Sequence, residues 1–238
     1  MRLSINIDHV ATLRNARGGR VPSPVEAALI CEGAGAAGIV CHLREDRRHI
    51  NDDDLRRLRR SLTTKLDLEM AATTEIINIA LKTGPDLVTL VPEKRKELTT
   101  EGGVDVVGGR ARLKRVIKQF HDLGIPVSLF IDPKGEQVEA SREIGSDMIE
   151  IHTGEYAEAR TASARKMHLA QIRRMALFGR GLGLAVNAGH GLDYLNISPI
   201  AAITAIDEVS IGHAVIVRAV FVGIEQAVRE MVECVQGG

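Results

Sequence analysis

"PVSLFIDPKGEQVEASREIGSDMIEIHTG", residues 126–154, holds the repeating unit of the chain. Its ends, "PVSLFID" and "MIEIHTG", are short runs rich in β-branched and apolar residues, the composition of strands. Between them "GEQVEASREIG" carries apolar residues at helical spacing and closes on Gly145, the residue type that most readily ends a helix. Strand, helix and strand in so short a stretch predict two parallel strands joined by a crossover helix.

The alternation continues in both directions. Upstream stand "LSINIDH" from Leu3, "GIVCHL" from Gly38, "KLDLEM" from Lys65 and "LVTLVP" from Leu87; downstream stand "LAVNAGH" from Leu184 and "VSIGHAV" from Val209. Helical patterns such as "SPVEAALICEGAG", "DLRRLRRSL" and "ARLKRVIKQFHDLG" separate them. Ser23-Pro24 opens one helix, and Gly35, Gly84 and Gly124 lie where others should stop. Eight such units in 238 residues match the size of a closed (β/α)8 TIM barrel of the α/β class, with a doubly wound open sheet as the alternative. No Pro/Ser-rich linker interrupts the pattern, so residues 1–238 read as one barrel domain. The longest irregular stretch, residues 93–109, is expected to be a mobile flap over the site.

Composition narrows the function. With 31 basic against 31 acidic side chains, no global field favours nucleic acid. Two Tyr, four Phe and no Trp leave little for stacking bases or sugars, so small phosphorylated or carboxylated ligands fit better. Cys31, Cys41 and Cys234 are isolated within apolar segments and read as buried thiols of a reducing compartment. No segment reaches the ~18 apolar residues of a membrane span, and the first residues do not resemble a signal peptide. The expected location is the cytoplasm.

In barrels of this kind the chemistry sits at the C-terminal ends of the strands. Asn6, Asp8 and His9 are placed at the end of the first predicted strand, His42 and Arg44 of the second, Glu69 of the third, Glu150 and His152 of the sixth, Asn187 and His190 of the seventh and His213 of the eighth. His121 and His168 fall in helical patterns and receive no role. "NAGHGL" (187–192) and "IGHAV" (211–215) put glycines where backbone N–H groups approach a phosphate. A second anion site is expected from His42, Arg44, Arg47, Arg48 and His49 together with Arg14, Arg17 and Arg20, unless Glu45 and Asp46 neutralise the arginines in a solvated turn. Glu69 interrupts an apolar run, where partial burial would raise its pKa toward that of a useful proton acceptor; a structural salt bridge is the competing reading. Asp8, His9, His42, Glu69, His152 and His190 include metal-ligand types, but no local motif such as HExxH joins them, and no metal is expected.

In this order, "NIDHVATLRNARGG", "HLREDRRHI", "LEMA", "LVPEKRKELTTEGG", "SLFID", "EIHTG", "VNAGHGL" and "IGHAV" closely resemble the deoxyxylulose-dependent pyridoxine 5'-phosphate synthase family of vitamin B6 biosynthesis, over nearly the whole chain. The resemblance implies a (β/α)8 barrel with additional helices, assembled as a homo-octamer from four dimers. It implies condensation of 1-deoxy-D-xylulose 5-phosphate with 3-amino-2-oxopropyl phosphate to pyridoxine 5'-phosphate, phosphate and water, with neither cofactor nor metal. Carried onto matching positions, His42 and Glu69 correspond to proton acceptors and His190 to the proton donor. Gly191, Gly212 and His213 correspond to the site of the retained phosphate, and Asn6 to a contact with the aminoketone. Asp8, His9, Arg17, Arg44, His49 and Thr99 correspond to contacts with the sugar phosphate, Thr99 lying in the flap. Val217 departs from the smaller residue expected there, which puts the packing behind the phosphate site in question. The alternatives are a metal-dependent sugar-phosphate aldolase or epimerase and a phosphometabolite-binding regulator without turnover.

Overall fold

The strands alternate apolar residues with polar or small ones, and a strand sends successive side chains to opposite faces. They are β1 (Arg2–Asn6), β2 (Gly38–His42), β3 (Lys65–Met70), β4 (Leu87–Leu90), β5 (Val127–Ile131), β6 (Met148–His152), β7 (Ala185–Gly189) and β8 (Glu208–Ile211). In the computed structural model, which describes residues 1–93 and 102–237, they close into a parallel barrel in sequence order, β8 pairing with β1. After β1 come α1 (Asp8–Ala16) and α2 (Pro24–Gly33), and after β2 comes α3 (Asp52–Ser61). Next follow α4 (Thr74–Thr83), α5 (Val106–His121) and α6 (Gly135–Glu143), each after its strand. Behind β6 lie α7 (Gly154–Ala157) and α8 (Ala162–Gly181), behind β7 α9 (Ile197–Ala201), and behind β8 α10 (His213–Val222) and α11 (Ile224–Gln236). The additional helices α1, α7 and α10 each start directly past a strand end and so build the C-terminal rim.

The outward faces of the strands make the core. Ile5, Ile39, Leu68, Val88, Leu129, Ile149 and Val209 are fully buried and share one cluster with Leu55, Leu58, Ile76, Phe120 and Met231 of the surrounding helices. Each such side chain contributes about 1.5–3 kcal/mol on leaving water. The inward faces differ from the branched apolar filling usual in these barrels. Ser4, Asp67, Thr89, Ser128, Glu150, Asn187 and Glu208 are all buried. Glu208 accepts from the Ser4 hydroxyl at 2.7 Å and from Lys65 Nζ at 2.5 Å, and Asp67 accepts from Thr89 at 2.8 Å. Burial pushes Asp67 up to about 7 against the pull of Lys65 and Thr89, with Glu208 adding to the rise.

Local signals behave as expected at several ends. Ser23 caps α2 by accepting from the Glu26 N–H, and Gly35, Gly84, Gly124 and Gly145 adopt positive φ just past their helices. Other boundaries moved. β1 stops at Asn6, so Asp8 and His9 belong to α1, because the Asn6 side chain accepts from the Asp8 N–H and turns the chain. His213 likewise opens α10 instead of ending β8. The expected irregular stretch 93–109 is shortened: Asp105 caps α5 by accepting from the Gly108 N–H, and the helix tolerates both Gly108 and Gly109. Residues 94–101, with Thr99 and about half of the expected flap, lie outside the described residues. Cys31 and Cys41 are buried and Cys234 half-buried. Among the described residues no helix is long and apolar enough to cross a membrane.

Candidate active site

Pairing of neighbouring strands decides which distant residues meet. The β2–β3 register sets His42 beside Glu69, and Asn6 at the end of β1 donates to Glu69 Oε2 at 3.4 Å. Asp8 completes this corner by accepting from the His42 N–H at 2.9 Å. Burial raises the Asp8 carboxyl despite the opposing charges of His42 and Arg44 and the hydrogen bonds it accepts. Glu69 is raised well above the carboxylate range by burial, then by the charges of Glu150, Asp8 and Asp67.

The opposite wall comes from β6 and β7, where His152 pairs with Gly189 and Glu150 with Asn187. A Cβ at Gly189 would stand 2.1 Å from Glu150 Oε1, so only glycine leaves that carboxyl its place. His190 follows with φ 81°, a conformation uncommon outside glycine, and Thr153 braces the turn with its hydroxyl 2.7 Å from the Gly189 carbonyl and 2.6 Å from that of His190. The rings of His152 and His190 lie 4.9 Å apart. Burial, then the neighbouring His152, lowers His190 to about 4 against Glu158, so the free ring is neutral at pH 7. Burial also raises Glu150, with Asp67 and Glu208 adding to it.

Between these walls lies a cavity of about 420 Å³ at the strand ends. It is lined by Asn6, Asp8, His9, His42, Arg44, His49, Glu69, Glu150, His190, Gly191, Gly212 and His213, among others. Of the thirteen site residues expected from sequence, eleven therefore meet here. Arg17 is not among the lining residues: it stands exposed at the C-cap of α1. Thr99 is outside the described residues.

The lining offers two kinds of anion contact. On the β7–β8 side are Gly191 with φ 76° and the start of α10, where no side chain caps the first N–H groups. On the β1–β2 side are His9, Arg44 and His49. Most arginines of the charged stretch serve the protein itself. Arg14 is buried on Asp54 at 2.6 Å, Arg47 bonds Asp52 at 2.9 Å and Glu75 at 2.5 Å, and Arg48 meets Asp46 at 2.6 Å. Only Arg44 of this group lines the cavity. His49 is lowered to about 4 by burial and by the charges of His9, His42, Arg44 and Arg48.

Two features escaped sequence reasoning. Glu93 falls at the start of the irregular stretch 93–109 and carries no expected role, yet its carboxylate is buried beside His42 and Arg44. Glu150 was placed at a strand end without a role; as the polar member of the alternating "MIEIH", it carried a signal that was available. Asp8, His42 and Glu69 bring one ligand atom each within 4.8 Å of one another, a set able to hold a divalent ion. Val217 is half-exposed on α10 and does not pack behind the phosphate site.

A family model described as pyridoxal phosphate biosynthesis protein PdxJ matches residues 3–237. Relatives described as pyridoxine 5'-phosphate synthase, from Chlorobium chlorochromatii and Pelodictyon phaeoclathratiforme, are 60% and 58% identical over 236 residues, covering 99% of this chain and 100% of each relative. Among solved structures, phosphoribosylanthranilate isomerase from Thermotoga maritima superposes with a TM-score of 0.62 at 13% identity, covering 100% of both chains. At that identity the likeness concerns the fold alone.

Proposed function

The chain belongs to the pyridoxal phosphate biosynthesis protein PdxJ family, and from that membership we propose that it makes pyridoxine 5'-phosphate. It condenses 1-deoxy-D-xylulose 5-phosphate with 3-amino-2-oxopropyl phosphate, releasing phosphate and water. The observation that carries this reading into chemistry is the meeting of His42, Glu69 and His190 in one cavity with two kinds of anion contact. The membership argues against the metal-dependent aldolase or epimerase reading.

The reaction needs an amine to attack a ketone, a carbinolamine to lose water, phosphate to leave the sugar half, and a second condensation to close the ring. Each step moves a proton, and groups with pKa near the working pH move them fastest. In the free protein Glu69 favours its protonated form and His190 its neutral form. Substrate charge reverses both preferences: an ammonium beside Glu69 ionises it, and a phosphate beside His190 favours its protonation. Glu69 and His42 then accept protons and His190 returns one. The retained phosphate rests on Gly191, Gly212 and His213, with Asn6 on the aminoketone. The departing phosphate rests on Arg44 and His49, with Asp8 and His9 on the sugar, and Arg17, exposed at the C-cap of α1, keeps its place among the sugar-phosphate contacts by resemblance only. Thr99 keeps its expected place among these contacts by resemblance only.

Assembly into an octamer built of dimers and a cytoplasmic location belong to the same proposal. An apolar face on α10 supports assembly: Val220 and Phe221 are 70% and 79% exposed, and such faces are usually covered by a partner. Multi-angle light scattering checks the octamer by mass. The reaction is tested with EDTA-treated protein and both substrates, following pyridoxine 5'-phosphate and free phosphate together. Equal formation of both is expected; loss of activity that returns with a divalent ion would instead favour an ion held by Asp8, His42 and Glu69.

A further inference from the structure

Four buried side-chain atoms without hydrogen-bond partners among the described residues gather at one corner of the cavity: His42 Nε2, Arg44 Nε and Nη2, and Glu93 Oε2. Glu93 faces both side chains. Its Oε2 lies 3.7 Å from His42 Nε2 and its Oε1 3.7 Å from Arg44 Nη2, beyond hydrogen-bonding reach but close enough for strong attraction in a buried place. The carboxylate is held there from behind, since Oε1 accepts from the Glu45 N–H at 3.0 Å. Its side chain is 2% exposed, and that of Arg44 3%. Burial favours the protonated form of Glu93, but His42, Arg44 and the Glu45 N–H outweigh it and keep the group ionised.

This arrangement is unusual for a substrate grip. Arg44 Nε and Nη2 make no hydrogen bond among the described residues, while two carboxylates stand within 4 Å of the same guanidinium, Asp46 Oδ1 at 3.6 Å from Nε and Glu93 Oε1 at 3.7 Å from Nη2. A carboxylate so placed steadies the arginine and also repels an incoming phosphate.

We propose that Glu93 is a positioning residue that moderates the hold of Arg44 on phosphate, so that inorganic phosphate leaves after its C–O bond to the sugar half has broken. The inference rests on the reading that Arg44 contacts the sugar phosphate. Glu93 takes no part in the bond changes: the electron pair of the broken bond goes to the phosphate, and a proton acceptor elsewhere in the cavity takes the proton from the sugar-derived carbon. Without the negative charge, binding of the sugar phosphate tightens and turnover falls, because product stays. A merely structural role for Glu93 predicts the opposite for binding, since a disordered corner would grip less well.

The test measures inhibition by inorganic phosphate, competitive with deoxyxylulose phosphate, in the full-length protein and in Glu93→Gln, Glu93→Asp and Arg44→Ala. Glu93→Gln should bind phosphate about tenfold more tightly, equivalent to about 1.4 kcal/mol, with KM for the sugar phosphate and kcat both reduced. Glu93→Asp keeps the charge but draws it back, and should tighten binding by less in the same direction. Arg44→Ala should weaken phosphate inhibition. If Arg44→Ala leaves it unchanged, the assignment of Arg44 fails, and this inference with it. If Arg44→Ala weakens it while Glu93→Gln binds phosphate no tighter than the unaltered protein, the role of Glu93 alone is overturned. Should Glu93→Gln not fold, Glu93→Asp decides by the same criterion.

Discussion

At the ends of β7 and β8 the cavity is walled by backbone, with Gly191, Gly212 and the uncapped start of α10; at the ends of β1 and β2 it is walled by side chains, with His9, His49 and the charged Arg44. Backbone N–H groups carry no net charge, so the first wall needs close approach and no counterion. A Cβ at Gly212 would stand 2.9 Å from the Asn6 carbonyl, which shows how tightly that wall is built. The second wall buries cations, and buried cations require partners. Hence Glu93 and Asp46 flank Arg44, and Asp54 holds Arg14. A wall of charge must be balanced, and Asp46, Asp52 and Asp54 supply much of that balance from the same stretch, which accounts for charged residues between His42 and Asp54 that do not line the cavity, while Glu75 and Glu93 complete it from other strands' loops and helices.

The strongest test of the comparison lies between the walls. His42→Asn and Glu69→Gln should each reduce turnover by about 10²- to 10⁴-fold, followed as pyridoxine 5'-phosphate formation; near-normal turnover would remove the residue from proton transfer. Next is the claim that most arginines of the charged wall are structural. Arg14→Ala leaves Asp54 buried and unpaired and should cost about 3–5 kcal/mol in urea unfolding, whereas Arg47→Ala, whose partners Asp52 and Glu75 are 45% and 63% exposed, should cost less than about 1 kcal/mol. Equal costs would erase that distinction.

The two walls should also separate by substrate. Arg44→Ala should raise KM for deoxyxylulose phosphate about 10- to 100-fold, the worth of about 1.5–3 kcal/mol for a charged hydrogen bond, while Gly212→Ala should act chiefly on the aminoketone phosphate. If both variants affect both substrates alike, the assignment of one phosphate to each wall is wrong. The smallest expected effect is on pH. His49 has a folded pKa of about 4 against an ordinary 6.5, so it is neutral in the fold and takes a proton on unfolding between those values. Its contribution to stability is present above about pH 6.5 and lost as the pH falls through about 4. Melting temperatures of His49→Gln should therefore fall less steeply than those of the unaltered protein across that window; parallel curves would mean that His49 is not depressed.

How much of this could be read beforehand differs by wall. Glycines at 191 and 212 announce close backbone approach through residue type alone, and their place after the last two strands follows from counting strands. The charged wall was legible only as a cluster: sequence names Arg14, Arg17, Arg44, Arg47 and Arg48 alike, and nothing local says that α1 turns Arg14 onto Asp54 and leaves Arg17 in solvent. Glu93 was hidden for the same reason. It sits among charges after β4, and its partners His42 and Arg44 come from the end of β2. The polar barrel interior was legible in principle, since "KLDLEM" and "MIEIH" alternate cleanly, but alternation says only that one face is polar, not that this face closes on itself.

By itself the sequence determined the order of strands and helices, because period-two and helical patterns are local properties of the chain. It also determined the family, because the match to the family model runs over residues 3–237 and needs no coordinates. What only the tertiary structure decided is which charges face which. The pairing of β2 with β3 and the closure of β8 on β1 bring together residues far apart in the chain, and a carboxylate such as Glu69, Glu150 or Glu93 takes its ionisation from those neighbours and from its burial.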